Sequence, residues 1–338
     1  MPDKPTMYAD LINNLLKDMP EYMMDFVYNT GKSYATKLEY CRDAGIFLDF
    51  MINYLPEHDG KTRKDITLDD LGKISVLDAQ RFIGLYSQPD MPLSTAKRKR
   101  AAVSRMYGYF VNVGKLKENP IAKTDPIRVP KGDVIFLSNE EQKLFLETIR
   151  SGNGLVGDAH KKHHLYVKRD SAMFLLMLDT GLRVSEMLGT DIIDFDFNEC
   201  SAKVIRKGGD KDTVYFSDEC KKYLEDYFLH QRIQYNLLKA KDLHFPAFTT
   251  TTGKRLGVRA VEQLVKNYIE ICLPQKSKEI TPHKLRSSFA MSFYEASGHD
   301  IVKLKEKLHH ANIETTNIYA RASRKDMKDT RNILQGLR

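Results

Sequence analysis

Between Lys117 and Lys131 the sequence KENPIAKTDPIRVPK sets three prolines, Pro120, Pro126 and Pro130, among charged residues with neither helical nor alternating apolar spacing. Proline fixes its own φ, offers no amide proton and bars the residue before it from helix, so no regular element runs through this stretch. The chain therefore divides in two. A helical domain is expected over residues 1–117, a linker over 118–136 and a mixed domain over 137–338, and 338 residues is an ordinary length for two domains.

With 42% apolar and 29% charged residues the chain has the material for real cores. Its longest apolar run, Ala172 to Leu178, is far short of a membrane span, and the opening MPDKPTMYADLINN lacks the basic start and apolar centre of a signal peptide. No membrane association and a cytoplasmic location are expected. Cys41, Cys200, Cys220 and Cys272 are too scattered for a disulfide framework or a thiolate zinc site, which points to reduced thiols. The formal charge of +8, from 53 Lys and Arg against 45 Asp and Glu, leans weakly towards nucleic acid.

Before the prolines the apolar spacing is helical. Leu11, Ile12, Leu15, Leu16 and Met19 form one stripe; Leu38, Cys41, Phe47, Phe50 and Met51 form a second behind Ser33, a candidate N-cap; Val103, Met106, Tyr107, Phe110 and Val113 form a third. The third helix, expected over Thr95 to Tyr109, opens on STAKRKRAAVSR, where Lys97, Arg98, Lys99, Arg100 and Arg105 stand without an acidic residue. A solvated face and a phosphate-binding face fit this cluster equally well.

After the prolines, FLSNEEQKLFLETI carries a capping box, Ser138 with Glu141, at a helix start. SAMFLLMLDTGLRVSEML predicts a buried helix, a turn at Asp179 to Gly181 and a second helix. CSAKVIRKGGDKDTVYFS predicts a hairpin closed by KGGDK, followed by a helix from Ser217 to about Gln234 and by further helices to the end. The fold class is mainly α with a small β-sheet (α+β). HKKHHLY, with His160, His163 and His164, is expected in a glycine-rich loop, either solvated or facing DNA, and lacks the carboxylates or thiols a metal would need.

Three separated stretches share one chemical explanation. Arg183 stands three residues before Glu186, so on a helix the carboxylate shares its face and can orient it. His283 and Arg286 are one turn apart, and LHHANIETTNIYA supplies His310 and Tyr319. Two guanidinium groups match the oxygens of a phosphodiester and oppose the charge that builds on a pentavalent phosphorus. A phenol beside them, with a histidine to accept its proton, can attack phosphorus, and a lysine such as Lys207 can protonate the leaving 5′ oxygen. Each residue alone is ordinary; it is their joint occurrence that points to this chemistry.

DTGLRVSEML, HKLRSSFA and LHHANIETTNIYA resemble the three signature boxes of the tyrosine recombinase, or phage-type integrase, family, and VIRKGGDK resembles its lysine-bearing hairpin. The resemblance covers essentially the whole chain. It implies a catalytic set of Arg183, Lys207, His283, Arg286, His310 and Tyr319 with Glu186 in support, no cofactor, and a helical core-binding domain that closes with the catalytic domain as a C-shaped clamp on duplex DNA. Lys211 is the alternative hairpin lysine. His309 stands where many members have glycine and is a substitute for His310, while Ser287 and Ser288 stand where His-Thr is frequent and are assigned to packing. The implied activity is site-specific recombination through a 3′-phosphotyrosine and a Holliday junction, by a homo-tetramer on two DNA sites, with an accessory DNA-bending or directionality factor as a further partner. Integration and excision of a mobile element is the first role considered and dimer resolution the second; a type IB topoisomerase and a catalytically silent DNA-binding regulator are more remote. The tail RKDMKDTRNILQGLR is expected to form a helix that docks on a neighbouring protomer.

Overall fold

Local capping starts several of the helices. In the computed structural model, which describes residues 4–130, 132–206, 208–234, 244–309 and 313–326, the chain separates into two units, Met1–Lys131 and Gly132–Arg338. The first contains α1 (Lys4–Leu16), α2 (Tyr22–Asn29), α3 (Tyr34–Tyr54), α4 (Leu68–Lys73), α5 (Val76–Leu85) and α6 (Leu93–Asn112). Ser33 accepts from the Thr36 amide at the start of α3. Thr67 with Asp70 and Ser75 with Asp78 form reciprocal boxes at α4 and α5, satisfying amides that a helix leaves open.

The core of the first unit lies between α3 and α6, where Phe47 meets Phe82 and Tyr107 edge to face. Burial there also takes in charge: Asp43 on α3 is buried and receives Lys99, while Arg98 pairs with Asp43 and Glu39. The expected linker begins as part of this unit. Ile121 is buried in its core, Asn119 donates to the Ser104 carbonyl at 2.8 Å, and Arg100 binds Thr124 through its hydroxyl (2.9 Å) and carbonyl (2.8 Å). Residues 125–130 then run without helix or strand.

The second unit contains α7 (Asn139–Ser151), α8 (Gly157–Thr180), α9 (Val184–Leu188), β1 (Phe195–Asp196), β2 (Ser201–Ile205), β3 (Lys211–Tyr215), α10 (Asp218–Gln234), α11 (Val258–Cys272), α12 (Pro282–Ala296), α13 (Ile301–Lys307) and α14 (Asn317–Asp326). The three strands form one antiparallel sheet in sequence order, with Ala202 opposite Val214 and Ile205 opposite Lys211. The apolar second half of α8 is buried among α7, α10, α11 and α12. A smaller cluster on α12, α13 and α14 joins Phe289, Met291, Tyr294, Leu304, Leu308 and Tyr319.

The histidine-rich stretch is helix rather than the expected loop. His160, His163 and His164 lie on the first half of α8, and the His163 ring reaches the Ile149 carbonyl at 2.7 Å, closing the end of α7. Lysines and histidines without an apolar stripe hide a helix from periodicity, because this half of α8 is largely solvated. Among the described residues no helix is long and apolar enough to cross a membrane.

Candidate active site

The end of α8 makes the first part of the site. Gly181 has φ +61°, which ends the helix, and a Cβ there would stand 2.3 Å from the Phe289 ring. The turn delivers Arg183 to the N-cap of α9, where its side chain meets Glu186 at 2.6 Å and its amide donates to the same carboxylate at 3.1 Å. Arg183 remains about a third exposed, at 31%, whereas the Glu186 side chain is 3% exposed. Burial pushes the Glu186 carboxyl up, and its bonds to Arg183 with the charge of Arg206 more than reverse this, leaving it below the usual range and ionised.

Arg206 is the unexpected member. From sequence alone it is one more basic residue beside Lys207; its signal is parity, since Ala202, Val204 and Arg206 fall on the inward positions of β2 and its continuation. It is buried, donates to Glu186 at 2.9 Å and to Asp212 at 2.8 Å, and its backbone closes the hairpin through Asp210 and Gly209. Burial also raises the Asp212 carboxyl, and Arg206, the Thr213 amide and His309 together bring it below the usual range. Lys207 lies outside the described residues. Lys211 is exposed at the start of β3.

Helix α12 carries the next two groups. His283 sits in its first turn, largely exposed; loss of hydration on the side facing the protein lowers its pKa, and Arg286, Lys284 and Arg183 lower it further, so the neutral, proton-accepting imidazole is favoured. Arg286 is 2% exposed and binds the carbonyls of Gly181 and Leu308. Burial, followed by repulsion from Arg183, brings its pKa down to about 10, so it stays cationic at neutral pH.

Tyr319, on α14, packs against this helix and is 4% exposed. The Ser287 hydroxyl donates to the His283 carbonyl at 3.4 Å and lies close to the phenol. Burial raises the phenol above its ordinary pKa, while Ser287 and the charge of Arg286 oppose the rise. At neutral pH Tyr319 is thus a protonated phenol within the field of a buried guanidinium. Ser287 is part of the site rather than packing alone, whereas Ser288 does pack, accepting the Leu137 amide at 2.8 Å. His309 adopts φ +53° and sets Nδ1 3.3 Å from Asp212. His310 lies outside the described residues, as does the tail from residue 327.

In the first unit the basic cluster divides. Lys97 and Arg105 are exposed along one stripe of α6, and Arg98, exposed beside them, is paired with Asp43 and Glu39. Lys99 instead turns inward to Asp43 at 3.3 Å and lies over the Tyr86 ring, and Arg100 ties down Thr124. A run of adjacent bases cannot all share one face of a helix.

The profile of the phage integrase family matches residues 155–326. The chain is 25% identical over 315 residues to the tyrosine recombinase XerC of Chlorobaculum tepidum, covering 91% of each, and 25% identical over 354 residues to the tyrosine recombinase XerS of Streptococcus mutans, covering 94% of this chain and 96% of the relative. Its fold resembles that of the Tn1549 transposon integrase, solved in complex with circular intermediate DNA, with TM-score 0.62 and 17% identity over 95% of this chain and 99% of the other.

Proposed function

The chain belongs to the phage integrase family of tyrosine recombinases, and from that premise we propose that it is a site-specific DNA recombinase with Tyr319 as its nucleophile. The observation that carries the assignment is that Tyr319 is buried against α12, the helix carrying Arg286, whose guanidinium grips the Gly181 carbonyl of the turn that delivers Arg183. The phenol oxygen attacks the phosphorus of a phosphodiester, the bond to the 5′ oxygen breaks, and a 3′-phosphotyrosine forms. The phenol proton passes to a histidine, for which His283, favoured in its neutral form, and His310 are the candidates. Lys207 protonates the departing 5′ oxygen, with Lys211 as its alternative. Arg183 and Arg286 hold the phosphate and oppose its growing negative charge. No cofactor is needed, because the ester to tyrosine keeps the energy for rejoining.

The freed 5′ hydroxyl attacks the corresponding phosphotyrosine of a partner duplex, giving a Holliday junction that the second pair of subunits resolves. Four copies on two double-stranded sites accomplish this. Lys97 and Arg105 supply phosphate contacts from the first unit. Integration and excision of a mobile element is one role for such an enzyme; resolution of chromosome or plasmid dimers is the other, and end-to-end similarity to the Xer recombinases gives it equal standing.

The test is to incubate the full-length protein with fragmented DNA from its own genome, trap covalent adducts in denaturant and sequence the attached ends. Wild type is expected to yield ends at a defined site and Tyr319→Phe to yield none; adducts with both proteins would reject the nucleophile. Ends at the borders of a mobile element favour the first role, and ends at a single replicon locus the second.

A further inference from the structure

Three ion pairs and a carboxylate–imidazole contact join three segments that are far apart in sequence. Arg183 meets Glu186 at 2.6 Å, Glu186 meets Arg206 at 2.9 Å, Arg206 meets Asp212 at 2.8 Å, and Asp212 meets His309 at 3.3 Å. The series starts on the turn after α8, crosses the hairpin and ends at the loop between α13 and α14. Its centre is dry, with the side chains of Glu186 and Arg206 each 3% exposed.

Two features show that this is more than a surface ion-pair network. Arg206 fills its fork, using one nitrogen on Glu186 and two others on Asp212, while its own amide and carbonyl close the hairpin loop. His309 holds a left-handed backbone, which is costly for a residue with a side chain and persists where the surroundings enforce it. Asp212 holds its ring, and the neighbouring Leu308 carbonyl is held by Arg286. Leu308 and His309, at the start of the third box, are therefore gripped from two sides. Two guanidinium groups against two carboxylates also balance, so Arg286, bound to two neutral carbonyls, keeps its charge for an anion.

We propose that Arg206 and Asp212 are positioning residues that lock the lysine-bearing hairpin to Arg183 on one side and to the third-box loop on the other. The inference rests on the recombinase reading above and assigns it two further residues. Neither one touches the phosphate; both fix the groups that do.

The test follows single-turnover adduct formation by the full-length protein on a nicked duplex bearing the site recovered from the genomic mapping, from mildly acidic to mildly basic pH. Glu186 faces Arg183 and Arg206; Asp212 faces Arg206 and His309, with Lys307 within electrostatic reach. Without Arg206 both carboxylates take up protons more readily, and Arg183 loses its guide as the pH falls. Arg206→Met is expected to slow adduct formation about 10- to 100-fold and to move the acid limb of the profile to higher pH, with DNA binding retained. Arg206→Lys should return the acid limb while recovering part of the rate. Asp212→Asn, at a partly exposed position, should also slow the reaction. A wild-type rate and profile in either Arg206→Met or Asp212→Asn overturns the proposal, as does a loss equal at every pH that lysine does not relieve. Wild-type adducts that depend on Tyr319 verify the recombinase reading in the same assay, so a negative result at Arg206 falls on this inference alone.

Discussion

Deleting one hydroxyl probes how the phenol is held. Ser287→Ala removes a hydroxyl that lowers the Tyr319 pKa and leaves burial less opposed, so the phenol becomes harder to ionise. A polar contact of this kind is worth about 1 kcal/mol, and adduct formation should fall roughly fivefold, measured as a single-turnover rate. The same burial makes stability depend on pH. Because the folded pKa lies above the unfolded value near 10, the contribution is complete below about pH 10 and is lost as pH rises through the folded value. At this scale the sequence is readable where chemistry repeats a known pattern: Arg183, Glu186, Arg286 and Tyr319 are each named by their box, and folding brings them together. Arg206 is not readable in that way. Its importance comes from two carboxylates that arrive from α9 and β3, and nothing local announces them.

The turn between α8 and α9 is the element on which the site depends most. Gly181 supplies the left-handed residue, lets Phe289 approach and offers the carbonyl that Arg286 grips. Gly181→Ala adds a backbone penalty of about 1 kcal/mol and a crowding cost of about 1–3 kcal/mol, so the second unit should unfold about 2–4 kcal/mol more easily in denaturant. Combining it with Phe289→Leu should recover part of that loss, because the crowded atoms belong to the Phe289 ring. Helix starts such as Ser33 and Ser138 are legible because a cap is a local bargain between residues three apart. The first half of α8 is illegible for the opposite reason: it is sustained by continuity with a buried second half and shows no stripe of its own.

Across the whole molecule, the proposed DNA contacts can be told from structural bases by salt. Each of Lys97→Gln and Arg105→Gln should reduce the slope of log affinity against log salt by about 1, read from binding titrations at several salt concentrations. Lys99→Met should leave the slope alone and destabilise the first unit by about 3 kcal/mol, at the low end for a broken buried pair because Arg98 still accompanies Asp43. The prolines announce a division of the chain, but not that residues 119–124 pack on α6, which depends on Ile121 finding a core and Thr124 an arginine. Every buried apolar residue of that first core lies between Ile12 and Ile121. On the ribosome, the amino-terminal half therefore has all it needs to consolidate before the later arginines and the tyrosine have been translated. An interrupted round of synthesis leaves a folded fragment that carries the exposed bases of α6 and no nucleophile.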